Sequence, residues 1–146
     1  MSEILKCDKM EDRNLKHLWA YIGLPYSGKT TIAKTREMPI VCPDTIRIAL
    51  HGHKFIPEAE GIVWAIAKIM VMALFLSGHN DVILDATNGT VKRRKEWVSK
   101  KWVTYFVQID TPKEECIKRA TEAGDLEIIP IIEKMALEFE PYNKDE

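Results

Sequence analysis

Apolar and polar positions alternate in blocks along the chain, and the blocks carry two periods. Leu15–Ile22 (LKHLWAYI), 38–42 (MPIVC), 81–87 (DVILDAT) and 102–110 (WVTYFVQID) are short apolar or β-branched runs that predict strands. Between them lie stretches of helical composition or spacing. TIAKTRE continues from the first strand after a glycine-bearing turn, and DTIRIALHG follows the second, with Asp44 placed to cap it and Gly52 to stop it. A long helix follows Pro57, because apolar residues recur at 62, 63, 66, 69, 70, 73 and 74 until Gly78. Thr90–Lys101 reads as a basic helix, Pro112 to about Glu122 as another capped by Thr111, and Pro130–Phe139 as the last. Residues 1–14 read as a loose polar leader and 140–146 as a polar tail.

Strands alternating with helices predict an α/β domain with a parallel sheet and right-handed crossovers. The 146 residues suit a single domain over 1–146, and 46% hydrophobic with 29% charged residues is ordinary globular usage. The formal net charge of −1 disfavours a protein that coats nucleic acid by bulk charge and leaves room for a local basic patch. Cys7, Cys42 and Cys116 are odd in number and widely spaced, so neither a disulfide framework nor a zinc site is readable. The N-terminus lacks a signal-peptide core, and the apolar stretch Gly61–Leu76, interrupted by Lys68, reads as too short to span a bilayer. A cytoplasmic location is expected, with no membrane partner. His51, His53 and His79 lack metal-ligand spacing and read as loop or surface residues.

One motif carries chemistry. Gly23-Leu-Pro-Tyr26-Ser27-Gly28-Lys29-Thr30 fits G-x-x-x-x-G-K-[ST] between a strand and a helix. Glycines let the backbone curl so that successive N–H groups face phosphate oxygens, and the helix N-terminus adds partial positive charge. Lys29 is placed for the β/γ-phosphates of ATP and the Thr30 hydroxyl for Mg²⁺. Asp85, at the C-terminal end of a predicted strand, lies on the rim where α/β sheets bind ligands and is a second Mg²⁺ ligand candidate. An ordinary strand-end turn is the competing reading of Asp85, since Asn88 and Gly89 follow.

Three further features are individually ambiguous. Asp44 and Arg47 sit at i and i+3, where they read either as a base and an acceptor clamp or as a helix cap with an ion pair. Arg119, before a glycine break, reads as a mobile phosphate-closing arginine or as a cation favouring a helix C-terminus. Lys92, Arg93, Arg94, Lys95, Lys100 and Lys101 form a phosphate-backbone patch or a solvated face. Trp97 and Trp102 read as core anchors.

Together these residues, over roughly Trp19–Ala123, resemble P-loop kinases of the bacteriophage polynucleotide 5′-hydroxyl kinase type. The resemblance implies a three-layer P-loop fold with a parallel sheet ordered 2-3-1-4, and Mg²⁺ and ATP as cofactors. It gives the nucleotide Gly23, Tyr26, Ser27, Gly28, Lys29, Thr30, Thr31 and Arg119. PDTIR resembles the family's D-x-x-R segment, which makes Asp44 the general base and Arg47 the clamp. LDATNGTVKRRKEW maps acceptor contacts onto Thr87, Asn88, Arg93 and Arg94, and CIKRA makes Arg119 the lid arginine. The family's second lid arginine corresponds to Ala123 here. No phosphatase or ligase segment is readable. The chain is also similar to small stand-alone P-loop proteins, some of which, in phages, phosphorylate 5-hydroxymethyluracil within DNA. The implied acceptor is therefore a nucleic-acid or nucleotide hydroxyl. A small-metabolite or nucleoside kinase and a non-kinase nucleotide switch are the alternatives.

Overall fold

The computed structural model describes residues 15–52 and 55–146. The leader, Cys7 and His53 lie outside the described residues. Four strands, β1 (His17–Ile22), β2 (Ile40–Val41), β3 (Asp81–Leu84) and β4 (Val103–Gln108), form one parallel sheet in the order β2-β3-β1-β4. This is the expected order. It places the phosphate-loop strand β1 in the centre, between β3 and β4.

Among the described residues, six α-helices accompany the sheet: α1 (Lys29–Lys34), α2 (Pro43–His51), α3 (Glu60–Leu76), α4 (Val91–Lys95), α5 (Lys113–Glu122) and α6 (Ile129–Glu138). Alternation along the strands divides the core. Leu18, Ala20, Val82 and Leu84 pack with Val63, Ala67, Val71 and Phe75 of α3 and with Trp97 and Trp102. Burying each Val or Phe there contributes about 2 kcal/mol. Tyr21 and Ile83 pack with Ala33 of α1, and Cys116, Ala120 and Ile132 join α5 and α6 beside the phosphate loop.

Several predicted boundaries move. The basic helix over Thr90–Lys101 is only Val91–Lys95. The Trp97 carbonyl accepts from the Trp102 indole at 3.0 Å and from the Thr104 hydroxyl at 2.7 Å. Burial of the two indoles thus redirects the chain before a second helical turn can form. Helix α2 begins at Pro43 with Cys42 at the N-cap position, and Asp44 caps nothing. Pro112, not Thr111, stands at the N-cap position of α5. A 3-10 turn, Pro57–Ala59, runs into α3, so Pro57–Leu76 reaches 20 residues and is, by length and composition alone, long enough to cross a bilayer. One face of it is packed against the sheet.

The tail is ordered against the domain. Glu140 N–H donates to the Gly89 carbonyl at 2.8 Å, Tyr142 packs on Phe106 at 5.2 Å between ring centroids, and Glu146 pairs with Arg94.

Candidate active site

The phosphate loop is shaped by two close approaches. Gly28 has φ of 98°, in the left-handed region. A Cβ at Gly23 would lie 2.8 Å from Ser27 Oγ, so the strand-to-loop corner admits only glycine without rearrangement. Tyr26 also has positive φ, 63°, and its hydroxyl donates to Asp125 Oδ2 at 2.9 Å. That contact raises the Tyr26 pKa above its ordinary value, through the hydrogen bond to Asp125 first and burial second.

Lys29 curls back over the loop. Its ammonium donates to the carbonyls of Gly23 at 2.9 Å and Leu24 at 2.8 Å. Burial lowers its pKa, opposed by the charges of Asp85 and Asp44. The ammonium also donates to the Ser27 hydroxyl at 3.4 Å, and a buried ammonium satisfied only by neutral oxygens is a ready partner for phosphate.

Thr30 and Asp85 are brought together by the pairing of β1 with β3. The Thr30 hydroxyl donates to Asp85 Oδ2 at 2.6 Å. Asp85 lies one residue beyond β3, its N–H still bonded to the Val41 carbonyl at 2.9 Å, and is 4% exposed. A hydroxyl and a buried carboxylate sharing one spot at the mouth of a phosphate loop are an oxygen donor set that fits Mg²⁺. Among the described residues there is no cluster of three His, Cys, Asp or Glu that would hold a metal by itself.

A cleft of about 930 Å³ is lined by the phosphate loop, Thr31, Cys42, Asp44, Asp85, Thr87, Arg119 and Asp125. That volume is ample for a nucleoside triphosphate and part of an acceptor. Asp44 is highly exposed, at 81% of its side chain, and accepts from Arg47 Nη1 at 2.6 Å. Arg47 is itself held by Glu60, with Nε 2.9 Å from Oε2 and Nη2 2.6 Å from Oε1. The Glu60 hydrogen bond is the main reason the guanidinium is raised above its ordinary pKa. Glu60 opens α3, 13 residues beyond Arg47, and no local spacing in the sequence points to it. Arg119 reaches the loop from α5, with Nη1 3.1 Å from the Tyr26 carbonyl. Thr111 ties the β4 end to the same loop, its hydroxyl donating to the Ser27 carbonyl at 2.7 Å.

The remaining residues of the expected acceptor set separate from the cleft. Asn88 is fully buried and donates to the Tyr21 carbonyl at 2.9 Å. It joins β3 to β1 rather than facing a ligand. Arg94 is also fully buried, with Nε 2.8 Å and Nη2 2.6 Å from the Glu146 carboxylate and Nη1 3.0 Å from the Asn88 carbonyl. It is an internal anchor, and the basic face is reduced accordingly. Arg93 stays partly exposed, with its guanidinium 4.1 Å from the Trp64 ring centroid and 2.9 Å from Glu96. Trp64 also has Arg47 6.0 Å away, so it links the two arginines. Sequence spacing does not bring this tryptophan to the site.

Comparison with known proteins agrees with the fold. The sequence profile of the AAA domain family matches residues 18–123. No curated protein sequence matches the chain. A chain in a solved structure of the Pnkp1/Rnl/Hen1 complex superposes with a TM-score of 0.64 at 27% identity, over 72% of this chain and 39% of that one. A chain of the Pnkp1/Rnl/Hen1 RNA repair complex gives 0.67 at 23% identity, over 86% and 47%. A gluconokinase from Sinorhizobium meliloti 1021 gives 0.62 at 14% identity, over 90% and 79%. The chain thus spans under half the length of the first two, and the second and third likenesses concern the fold alone.

Proposed function

This chain belongs to the AAA domain family, and from that premise we propose that it is a phosphotransferase moving the γ-phosphate of ATP to a hydroxyl on a nucleic-acid substrate. The acceptor is a polynucleotide 5′-hydroxyl or the hydroxymethyl group of 5-hydroxymethyluracil in DNA. The observation that carries the reading is the Asp44–Arg47 pair. Asp44 lines the phosphate-loop cleft, caps no helix, and has a guanidinium 2.6 Å away. A nucleotide switch that only positions water has no use for a base coupled to a fixed cation. The P-loop fold is kinase-like, and its 27% identical neighbour comes from the Pnkp1/Rnl/Hen1 complex.

In this mechanism the phosphate loop and Lys29 hold the β- and γ-phosphates. Magnesium, held by Thr30 and Asp85, would supply positive charge beside the phosphate oxygens. Asp44 accepts the proton of the acceptor hydroxyl as its oxygen bonds to the γ-phosphorus. The bond from that phosphorus to the bridging oxygen breaks and ADP leaves. Arg47, oriented by Glu60, holds the acceptor, and Arg119 closes toward the transferring group. Such preorganised charge acts on the transition state without reorganisation at the moment of transfer. The reading carries with it action in the cytoplasm, a host's if the chain is phage-encoded.

A small-molecule acceptor is the second reading. It is favoured by the burial of Arg94, which removes one cation from the expected polymer face. Labelled γ-phosphate transfer to 5′-hydroxyl oligonucleotides, 5-hydroxymethyluracil DNA and a mixture of polyols and nucleosides separates the two, with Lys29→Ala as the blank. Label in an oligonucleotide supports the first reading. Label only in a small alcohol replaces it, and no transfer to any acceptor rejects both.

A further inference from the structure

Helix α3 is apolar all round. Its inner face, Val63, Ala67, Val71 and Phe75, is in the core. Its opposite face is Ile62, Ala65, Ile69, Ala73 and Leu76, with Ile62 60%, Ile69 64% and Leu76 86% exposed. At 100° per residue these five positions fall within about 80° of arc. A helix with no polar face is normally buried on every side, yet no described residue covers this one. Lys68, next to Ile69 in the chain, has its ammonium 5.7 Å from the Trp97 ring. The five stripe positions themselves carry no charge, so a partner meeting them desolvates none there.

The stripe is also symmetric along its length. Ile69 is its midpoint: Ala65 and Ala73 lie four residues to either side, and Ile62 and Leu76 seven. Two copies laid antiparallel about a two-fold axis at Ile69 would set Ile62 against Leu76 and Ala65 against Ala73. The small residues would let the backbones approach between large ones, and Lys68, about 100° round the helix from the centre of the stripe, would lie outside the seam on the same flank as its equivalent. Isologous interfaces require this self-complementarity. We infer that the outer face of α3 is a homodimer interface in which two copies pair antiparallel across Ile69. From Ile62 to Leu76 the stripe is about 21 Å long, and two such helices bury on the order of 1,000 Å² in total. That lies at the low end for a specific interface, so the dimer is reversible.

Sedimentation velocity of the full chain from about 1 to 500 µM tests this, with Ile69→Glu beside it. The expected result is a concentration-dependent dimer that Ile69→Glu weakens at least tenfold without changing the melting temperature, since Ile69 is exposed in the monomer. Oxidative cross-linking reads the register. Ile69→Cys should cross-link to itself. Ile62→Cys should not, its copies lying about 21 Å apart, yet it should cross-link to Leu76→Cys when the two are mixed. The parent chain supplies the background of its own cysteines. A monomer at every concentration overturns the inference, as does a dimer indifferent to Ile69→Glu or one cross-linked through Ile62→Cys alone. Flotation of the monomer with phosphatidylcholine/phosphatidylglycerol vesicles overturns it in favour of a lipid surface. Should Ile69→Glu fail to fold, the cross-linking pattern decides.

Discussion

The hydroxyl of Thr30 donates to Asp85 at 2.6 Å, although 55 residues separate them in the chain. Parallel pairing of β1 with β3 brings the first turn of α1 to the end of β3. The loop beyond β3 is clamped there as well, because Gly23 N–H donates to the Thr87 carbonyl at 3.0 Å.

Asp85→Ala is expected to lower transfer by about 10²–10⁴-fold while nucleotide binding without magnesium persists. Thr30→Ser should keep activity, and Thr30→Val should raise the magnesium concentration needed for half-maximal rate. Transfer assays across a magnesium titration read both. Unchanged magnesium dependence in Asp85→Ala would return Asp85 to a simple turn residue.

Asp44 and Glu60 should separate kinetically. Asp44→Asn is expected to bind ATP normally and lose transfer by about 10²–10⁴-fold, as removal of a general base does. Glu60→Gln frees the Arg47 fork, so acceptor KM should rise while ATP KM stays level. Glu60→Asp should recover part of the loss. Initial rates with acceptor and ATP varied in turn provide the check, and equal effects on both KM values would make Glu60 a purely structural residue.

Arg94 and Glu146 make an acid-sensitive clasp. The Arg94 hydrogen bonds hold the Glu146 carboxyl below its ordinary range. A depressed folded value means that the stabilisation is fully present above the unfolded carboxyl's titration, near pH 4.3, and is lost as pH falls through the folded value. Glu146→Gln should flatten that part of the stability-against-pH curve. Arg94→Ala leaves the carboxylate and the Asn88 carbonyl unmatched and should cost about 3 kcal/mol in urea unfolding.

Arg93→Glu reports on a polymer acceptor without disturbing the buried Arg94. If Arg93 touches phosphate, acceptor affinity should fall and the slope of log affinity against log salt should flatten by about one. ATP affinity should be unchanged. Filter binding at several salt concentrations measures it, and an unaltered slope would assign Arg93 to its packing on Trp64.

The phosphate loop was legible because its function is local. Gly23, Gly28, Lys29 and Thr30 act within eight residues, and the backbone they need is encoded by the same residues that bind phosphate. The parallel sheet was legible because apolar runs alternate with helices, and its strand order was legible through the resemblance to P-loop kinases together with that alternation. The length of α4 was not, since Trp97 gives its carbonyl to Trp102 and Thr104 only after both indoles are buried.

The strands, the phosphate-binding turn and the candidacy of Asp44, Arg47, Asp85 and Arg119 follow from short-range properties of composition and spacing. The packed fold sorted those candidates. It freed Asp44 from capping, tied Arg47 to Glu60, set Thr30 on Asp85, and removed Asn88 and Arg94 into the interior. A side chain's neighbours depend on which distant strands pair and which apolar faces meet. Two adjacent arginines, Arg93 and Arg94, can therefore have identical local signals and opposite fates, one on an indole near the surface and the other sealed on a carboxylate 52 residues away.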